Sequence, residues 1–419
     1  MGCLFMTVSQ SYLSAQEVCA RLGIAPATLY AYVSRGQIRS VRSEEMPHSR
    51  SKRYNAEDVE TLLGKRELRK SPEQVVSRSL DWGAPLLDSE ICLIQAGQFY
   101  YRGQNACELS QSQTFESVLA LLWQSPSPDW ARAAESLSAL PALKHGAAPR
   151  LDSLADPILA MQAGLLALAG AEPRCWDLRP EGIVRTGTQI LALLTQILCG
   201  HYPGPAGLAQ TLAESWLPNA IAAAPLLNQA LILCAEHELN ISSFGVRCAA
   251  SAGSHPVQAL LAGLACFSGT RHGGAWARVE ALLQECERAD SPALALTNRL
   301  QRGEPLYGFG HPLYPEGDPR WFALKTALQA ELAPSAQGDL LSTVAESVLA
   351  LSGEHPSLDF ALVALCRLLG LPLSCAPAIF ALGRAGGWLA HLQEEYALKR
   401  LIRPRARYTG PAPQEQLQL

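Results

Sequence analysis

A mainly α fold is predicted for this chain by three observations. Ala and Leu dominate its apolar residues, while Phe, Trp and Tyr together supply 7%, and Ala and Leu lose little on entering a helix. Apolar residues recur at three-to-four spacing in "TFESVLALLW", "QILALLTQILCG", "LAQTLAESWL", "PLLNQALILCAEHELN" and "DFALVALCRLLGL", the period of a helix with one buried face. Pro/Gly breaks such as "PAGL", "GEPLYGFGHPLYPEGDP" and "LSGEHPSLD" separate these runs. With 48% hydrophobic and 17% charged residues over 419 positions, disorder is excluded and the chain is long enough for two or three domains. No internal repeat is found, and the body is too long for one simple bundle.

The first seventy residues read as a unit. In "SAQEVCARLGI", Ser14 is an N-cap with Glu17 three residues on, a capping box; Val18 and Leu22 share a face and Gly23 ends the helix. "APATLYAYVSRG" then predicts a second helix with Leu29, Tyr32 and Val33 on one face and Gly36 as its stop. Helix, glycine turn, helix and the basic stretch "HSRSKRYNAEDVETLLGKRE" resemble a MerR- or excisionase-like helix-turn-helix with a basic wing, over about residues 11–64. The resemblance implies a second helix that enters the major groove, presenting Thr28, Tyr30 and Arg35, with Arg50, Lys52 and Arg53 meeting phosphates. A small helical adaptor that packs on the body or on a partner, its charges solvated, stays open beside it. Residues 1–70 carry eleven Lys/Arg against seven Asp/Glu, whereas the remainder carries 23 basic and 31 acidic residues. Any polyanion contact therefore belongs to the N-terminal module.

"LRKSPEQVVSRS" reads as a linker, and a short strand pair is expected in "ICLIQAGQFYYRG". The twelve cysteines include no Cys-x-x-Cys pair, so buried thiols in a reducing compartment are expected rather than a disulfide framework or a zinc site. "MGCLFMTVSQ" lacks the basic start and long apolar run of a signal peptide, and Met6 stands where N-myristoylation wants Ser or Thr. No uninterrupted apolar stretch reaches bilayer length. The expectation is a cytoplasmic protein with no membrane contact.

Four clusters carry candidate chemistry. "CAEHELNISSF" sets His237 between two glutamates, late in an apolar helix. "FSGTRHGGAWARV" puts His272 before a glycine pair at a helix start. "GFGHPLYPEGDPR" holds His311 on a stiff turn nine residues before Arg320, and "EHPSLDFALVALCRLLG" puts Asp359 at a helix start. Each alone also reads blandly: a satisfied histidine, a solvated loop, a capping aspartate. Arg384 in "FALGRAGGWLAH" lies in an apolar run where an unpaired charge is costly, so it needs an anion. "LIRPRARYTGP" adds Arg403 and Arg405, and several planar guanidinium forks point to a small polycarboxylate ligand.

Taken in order, "HGGA", "GFGH…DPR", "PSLDF", "GRAGGWLAH" and "RPRARYTG" resemble the citrate synthase family, with "FYYRGQNACELSQSQTFESVLALLW" similar to its upstream turn and helix; the similarity covers residues 84–411. It implies a two-domain citrate synthase fold: a large domain from residues 84–268 and 366–419 and a small one at 269–365, following a helix-turn-helix domain at 1–70 and a linker at 71–83. It implies closure over the substrates, an obligate homodimer, oxaloacetate and acyl-CoA as ligands, and neither cofactor nor metal. By that resemblance Asp359 is the base that removes a proton from the thioester methyl group. His272 hydrogen-bonds the thioester oxygen, its helix-start position keeping it neutral. His311 polarises the oxaloacetate carbonyl and supplies its proton. His237, Arg320 and Arg384 contact the substrate, and Arg403 comes from the neighbouring subunit. CoA is expected along main chain near residues 307–318.

Two positions depart from the family pattern. Pro312-Leu313-Tyr314 follows His311 where Arg-Val-Tyr is usual, which leaves acyl preference open, and Cys234 stands where a second histidine is common. The readings kept open are citrate synthase, 2-methylcitrate synthase using propionyl-CoA, citryl-CoA lyase, and a metabolite-sensing DNA-binding regulator on the same body.

Overall fold

The computed structural model describes residues 12–42, 52–56, 58–59, 62–63, 86–144, 156–218, 223–331, 334–406 and 408–411. All structural statements below are made of these residues; the linker stretch, Arg50 and the first eleven residues lie outside them. The chain divides into two units, Met1–Asp88 and Ser89–Leu419.

In the first unit β1 (Tyr12–Ser14) leads into α1 (Ala15–Leu22) and α2 (Pro26–Ser34). Strands β2 (Ser40–Arg42) and β3 (Lys52–Asn55) complete an antiparallel sheet in the order β1-β3-β2. The capping box forms: Glu17 N–H donates to Ser14 Oγ at 3.3 Å, and Ser14 N–H donates to the Glu17 carboxylate at 2.7 Å. Gly23 turns the chain at φ +57° and Gly36 at φ +69°. Val18, Leu22, Leu29, Ile38, Tyr54 and Val59 close a core of their own, so two helices and a sheet make a helix-turn-helix unit. Thr28 and Tyr30 stand exposed on α2, with Arg35 exposed just past its end and Lys52 exposed on β3. Arg53 differs: it is half-buried, and its guanidinium donates back to the Tyr12 carbonyl at 3.4 Å.

The second unit opens with the strand pair expected from sequence, β4 (Cys92–Gln95) against β5 (Gln98–Tyr101), followed by β6 (Gln104–Asn105). Helices then follow almost without interruption: α3 (Ala106–Ser112), α4 (Phe115–Trp123), α5 (Trp130–Ser138), α6 (Pro141–Lys144), α7 (Pro157–Ala171), α8 (Pro180–Cys199), α9 (Leu208–Trp216), α10 (Ala223–Cys234), α11 (Ile241–Ser251) and α12 (Pro256–Phe267). After a turn come α13 (Ala275–Arg288), α14 (Pro292–Gln301), α15 (Pro319–Glu331), α16 (Ala336–Ser352), α17 (Leu358–Leu369) and α18 (Cys375–Leu398). Helices α2, α7, α8, α12 and α14 begin on proline, which gives up no hydrogen bond in the first turn.

Helix α18 is the axis of the fold. It is buried almost all round and packs on α4, α7, α8, α10, α11 and α12, as a helix apolar on every side must. Its small residues permit the close approach. A Cβ at Gly387 would collide with the Ala235 carbonyl and the Glu236 carboxylate. Gly387→Ala is therefore expected to destabilise the protein by about 1–3 kcal/mol, read from its denaturant midpoint against wild type. Helices α13–α17 pack mainly on one another, while α15 and α17 reach across to α10. Helix α8 is, by length and composition, apolar enough to cross a bilayer, although Glu181 and Arg185 interrupt its apolar run. Its most apolar window is 78% buried in the unit, which makes it a core helix. The cysteines described are all free thiols, five of them buried.

Candidate active site

The Gly308–Arg320 turn is locked to the segment before α17. Phe309 and Pro356 form an isolated antiparallel bridge, Gly310 N–H donates to His355 O at 2.9 Å, and Ser357 N–H donates to Gly308 O at 2.8 Å. Gly310 takes φ +71°, and a Cβ there would press on the Glu354 carboxylate; glycine is the residue this turn needs. Asp318 fastens the assembly a second time. Its carboxylate accepts from Arg320 Nε at 2.9 Å and Nη2 at 2.7 Å, and from the Leu358 N–H at 3.1 Å. His311, Arg320 and Asp359, spread over 49 positions, are thereby held as one piece.

His237 meets this piece from the other side. Its Nε2 lies 2.8 Å from Tyr314 Oη, and its ring centroid is 5.1 Å from that of His311. Sequence reading placed His237 late in a helix, but α10 ends at Cys234 and His237 occupies the turn beyond. That turn exists because Glu238 adopts φ +53° and side chains hold the backbone. Tyr101 Oη donates to Ile232 O and accepts from Glu236 N–H, Glu236 Oε1 accepts from His237 N–H at 2.8 Å, and Glu238 Oε1 accepts from Ile94 N–H. None of these long-range partners leaves a mark in the periodicity of α10.

His272 lies in the turn preceding α13, whose N-cap is Gly274. Its Nε2 is 2.9 Å from Ser242 Oγ, which in turn donates to Asn240 Oδ1 at 2.6 Å. Phe267 and Phe380 stand edge-on to its ring, 5.3 and 6.0 Å away. Burial and the Arg384 charge push it down to about 4. Desolvation and a neighbouring cation are thus enough to keep it neutral, beside the helix start from which neutrality is expected. Burial, then Arg320, pushes His311 down to about 4 as well. His311 Nδ1 accepts from Leu313 N–H at 3.2 Å, which leaves Nε2 as the protonated nitrogen of a neutral ring. His237 is held well below its ordinary value by burial, Arg320, His311 and Arg384.

Two guanidinium groups act on the three histidines, Arg384 on His272, Arg320 on His311 and both on His237. Arg320 is buried between Asp318 and the faces of Tyr314 and Phe99. Arg384, 1% exposed, donates through Nε to Cys234 O at 2.7 Å and lies 4.7 Å over the Phe380 ring. Asp359, the second residue of α17 behind the N-cap Ser357, keeps a partly exposed edge. Burial raises its carboxyl to about 6, with Asp318 adding to the rise and Arg320 and Arg278 opposing it. A carboxylate so destabilised is a better base than one in water. Arg403 stands apart: it is exposed on the extended segment after α18, and among the described residues no hydrogen bond or ion pair joins it to the others. Tyr314, Asp318, Ser242 and Glu236 escaped the sequence reading as site residues. Asp318 and Tyr314 lie in the same turn as His311 and Arg320, and Glu236 beside His237, so three of the four stood next to residues the sequence singled out.

Residues 80–405 match the family profile described as "Citrate synthase, C-terminal domain". The chain belongs to the citrate synthase family. Residues 12–67 match a second profile, "Helix-turn-helix domain". "Citrate/2-methylcitrate synthase" of Bacillus subtilis is 30% identical to this citrate synthase-family chain over 342 residues, 76% of this chain and 91% of that one. "Citrate synthase" of Haloferax volcanii is 29% identical over 359 residues, 78% and 94% of the two. The crystal structure of citrate synthase from Thermotoga maritima superposes with a TM-score of 0.66 at 27% identity, covering 80% of this chain and 96% of that one. The body thus has the citrate synthase fold, and the chain is a citrate synthase-like transferase carrying an N-terminal helix-turn-helix domain.

Proposed function

We propose that this enzyme condenses acetyl-CoA with oxaloacetate and hydrolyses the resulting citryl-CoA to citrate and CoA. The observation that carries this reading is one cluster, joined through two buried guanidinium groups, that holds an Asp359 carboxyl raised to about 6 next to Arg320 and histidines held neutral by burial. Arg320, Arg384 and His237 hold the two carboxylates of oxaloacetate. His311 directs its Nε2–H at the ketone oxygen. Asp359 takes a proton from the thioester methyl group while the Ser242 hydroxyl turns from Asn240 to His272 Nε2, so that the single ring proton sits on Nδ1 and hydrogen-bonds the thioester oxygen, and an enol forms instead of a free enolate. The enol carbon attacks the ketone carbon, and the ketone oxygen takes the proton of His311. Water then cleaves the thioester. Desolvation on closure supplies the dry site this chemistry needs.

A homodimer that brings Arg403 of the partner subunit to this site completes the reading. It is supported by Leu159 and Leu166, exposed seven residues apart on α7, and by Arg403 lying on an extended segment. The free thiols fit a reducing, cytoplasmic setting. Mass detection of citrate from purified protein, acetyl-CoA and oxaloacetate tests the reaction. 2-Methylcitrate formed from propionyl-CoA in preference would move the acyl specificity to the three-carbon substrate, and no product from either would sink the enzyme reading.

The base assignment carries a pH dependence. Only ionised Asp359 accepts a proton, so kcat/KM is expected to halve near the pH where it protonates, about 6, and to fall about tenfold per unit below that. A flat profile down to pH 5 would overturn the assignment.

A second reading concerns the first unit. Thr28, Tyr30 and Arg35 exposed about α2 support major-groove binding by the helix-turn-helix domain, with the body as metabolite sensor. A mobility shift whose affinity ignores oxaloacetate and CoA together would remove the sensor role.

A further inference from the structure

Behind His237 lies a run of buried ionisable groups that the reaction does not use. Glu236, Arg247, His391 and Glu395 are each at most 1% exposed. His391 donates through Nε2 to Glu236 Oε1 at 3.2 Å, the same oxygen that accepts His237 N–H at 2.8 Å. On its other face His391 Nδ1 receives Arg247 Nη1 at 3.5 Å. An arginine donor at Nδ1 leaves the imidazole proton on Nε2, the tautomer that faces Glu236. Arg247 is itself held by Glu395 at 2.7 Å and Glu394 at 3.1 Å. Glu395 also takes Arg400 Nε at 3.4 Å, where the segment leading to Arg403 begins.

We propose that the buried His391–Glu236 pair is the positioning device of His237, with Arg247 and Glu395 fixing it from behind. The inference rests on the oxaloacetate-binding reading of His237 above. Stability alone does not account for the group, because a buried ion network is no better for stability than apolar side chains of similar volume. The pair supplies an acceptor of fixed place beneath a histidine that no helix carries. Glu236 clamps the His237 peptide N–H, Glu238, the next residue, is anchored by its carboxylate on Ile94 N–H, and the ring faces Tyr314. Arg384 and His391 lie seven residues apart on α18, so one helix reaches the ligand cleft with the first and steadies its opposite wall with the second.

The test compares His391→Leu with His391→Gln in the full chain; Gln keeps an N–H donor near the position of Nε2. His391→Leu is expected to raise the KM for oxaloacetate about tenfold or more, with the KM for acyl-CoA changed less than about threefold, and His391→Gln to recover most of the loss. Equal losses for both substrates that track melting temperature, or no rescue by Gln, would overturn the proposal. Should the Leu variant fail to fold, Glu236→Gln replaces it. That variant keeps an acceptor for His237 N–H but weakens the hold of His391, and it must give a smaller shift in the oxaloacetate KM alone. A wild type that forms no product defeats the functional reading, and the positioning claim is then judged by calorimetric titration with oxaloacetate. A wild type that neither turns over nor binds oxaloacetate defeats both. Turnover by wild type with an unchanged oxaloacetate KM in His391→Leu defeats the positioning claim alone.

Discussion

Asp359→Asn is expected to lower kcat by about 10³-fold or more while oxaloacetate binding stays within about twofold of wild type. The substitution keeps the size and one acceptor oxygen of the side chain but removes the only carboxylate assigned to the thioester methyl group. In the proposed reading oxaloacetate is held elsewhere, by Arg320, Arg384 and His237, so calorimetric titration should show its affinity intact. Product formation by mass detection gives the other half of the result. Retained turnover would remove Asp359 from the chemistry, and lost oxaloacetate affinity would make it a structural residue of α17.

Arg320→Met acts on two properties at once. Asp318 is 2% exposed, and Arg320 supplies three of its hydrogen bonds, from Nε, Nη2 and the backbone N–H. Removing the guanidinium strands a buried carboxylate, at a cost of about 3–5 kcal/mol. Oxaloacetate affinity should fall at least about 100-fold with the loss of a charged partner in a dry site. Adding Asp318→Asn removes the stranded charge, so the double variant should regain much of the stability in urea denaturation and none of the affinity. A double variant that regains both would mean that Arg320 only neutralises Asp318. The same pairing bears on the pH profile: Arg320 opposes the upward shift of Asp359, so any residual activity of Arg320→Met should have its acid limb at higher pH than wild type.

Much of this architecture is legible residue by residue. The capping box of Ser14 and Glu17, the stop at Gly23 and the strand pair Cys92–Gln95 with Gln98–Tyr101 all follow from interactions within a few positions. The placement of His237 does not. The apolar period of α10 runs straight toward it, and the helix is ended by partners 135 positions away (Tyr101) and by a carboxylate whose role depends on His391. Helix α8 shows the converse, its apolar residues being plain in the sequence while only the fold shows that most of them are buried as in a core helix.

By itself the sequence determined a basic helix-turn-helix module, a helical body, and the order of motifs that carry Asp359, His272, His311, Arg320 and Arg384. Those are local patterns, written in spacing and residue type. Tertiary structure alone decided that Arg320 and Arg384 reach the histidines, that burial and Arg384 keep His272 neutral, and that Asp318 ties Arg320 to the start of α17. Charge in a protein is set by what surrounds it in space, and the groups that surround this site come from β5, α11, α12, α15, α17 and α18, whose positions along the chain say nothing of their distance.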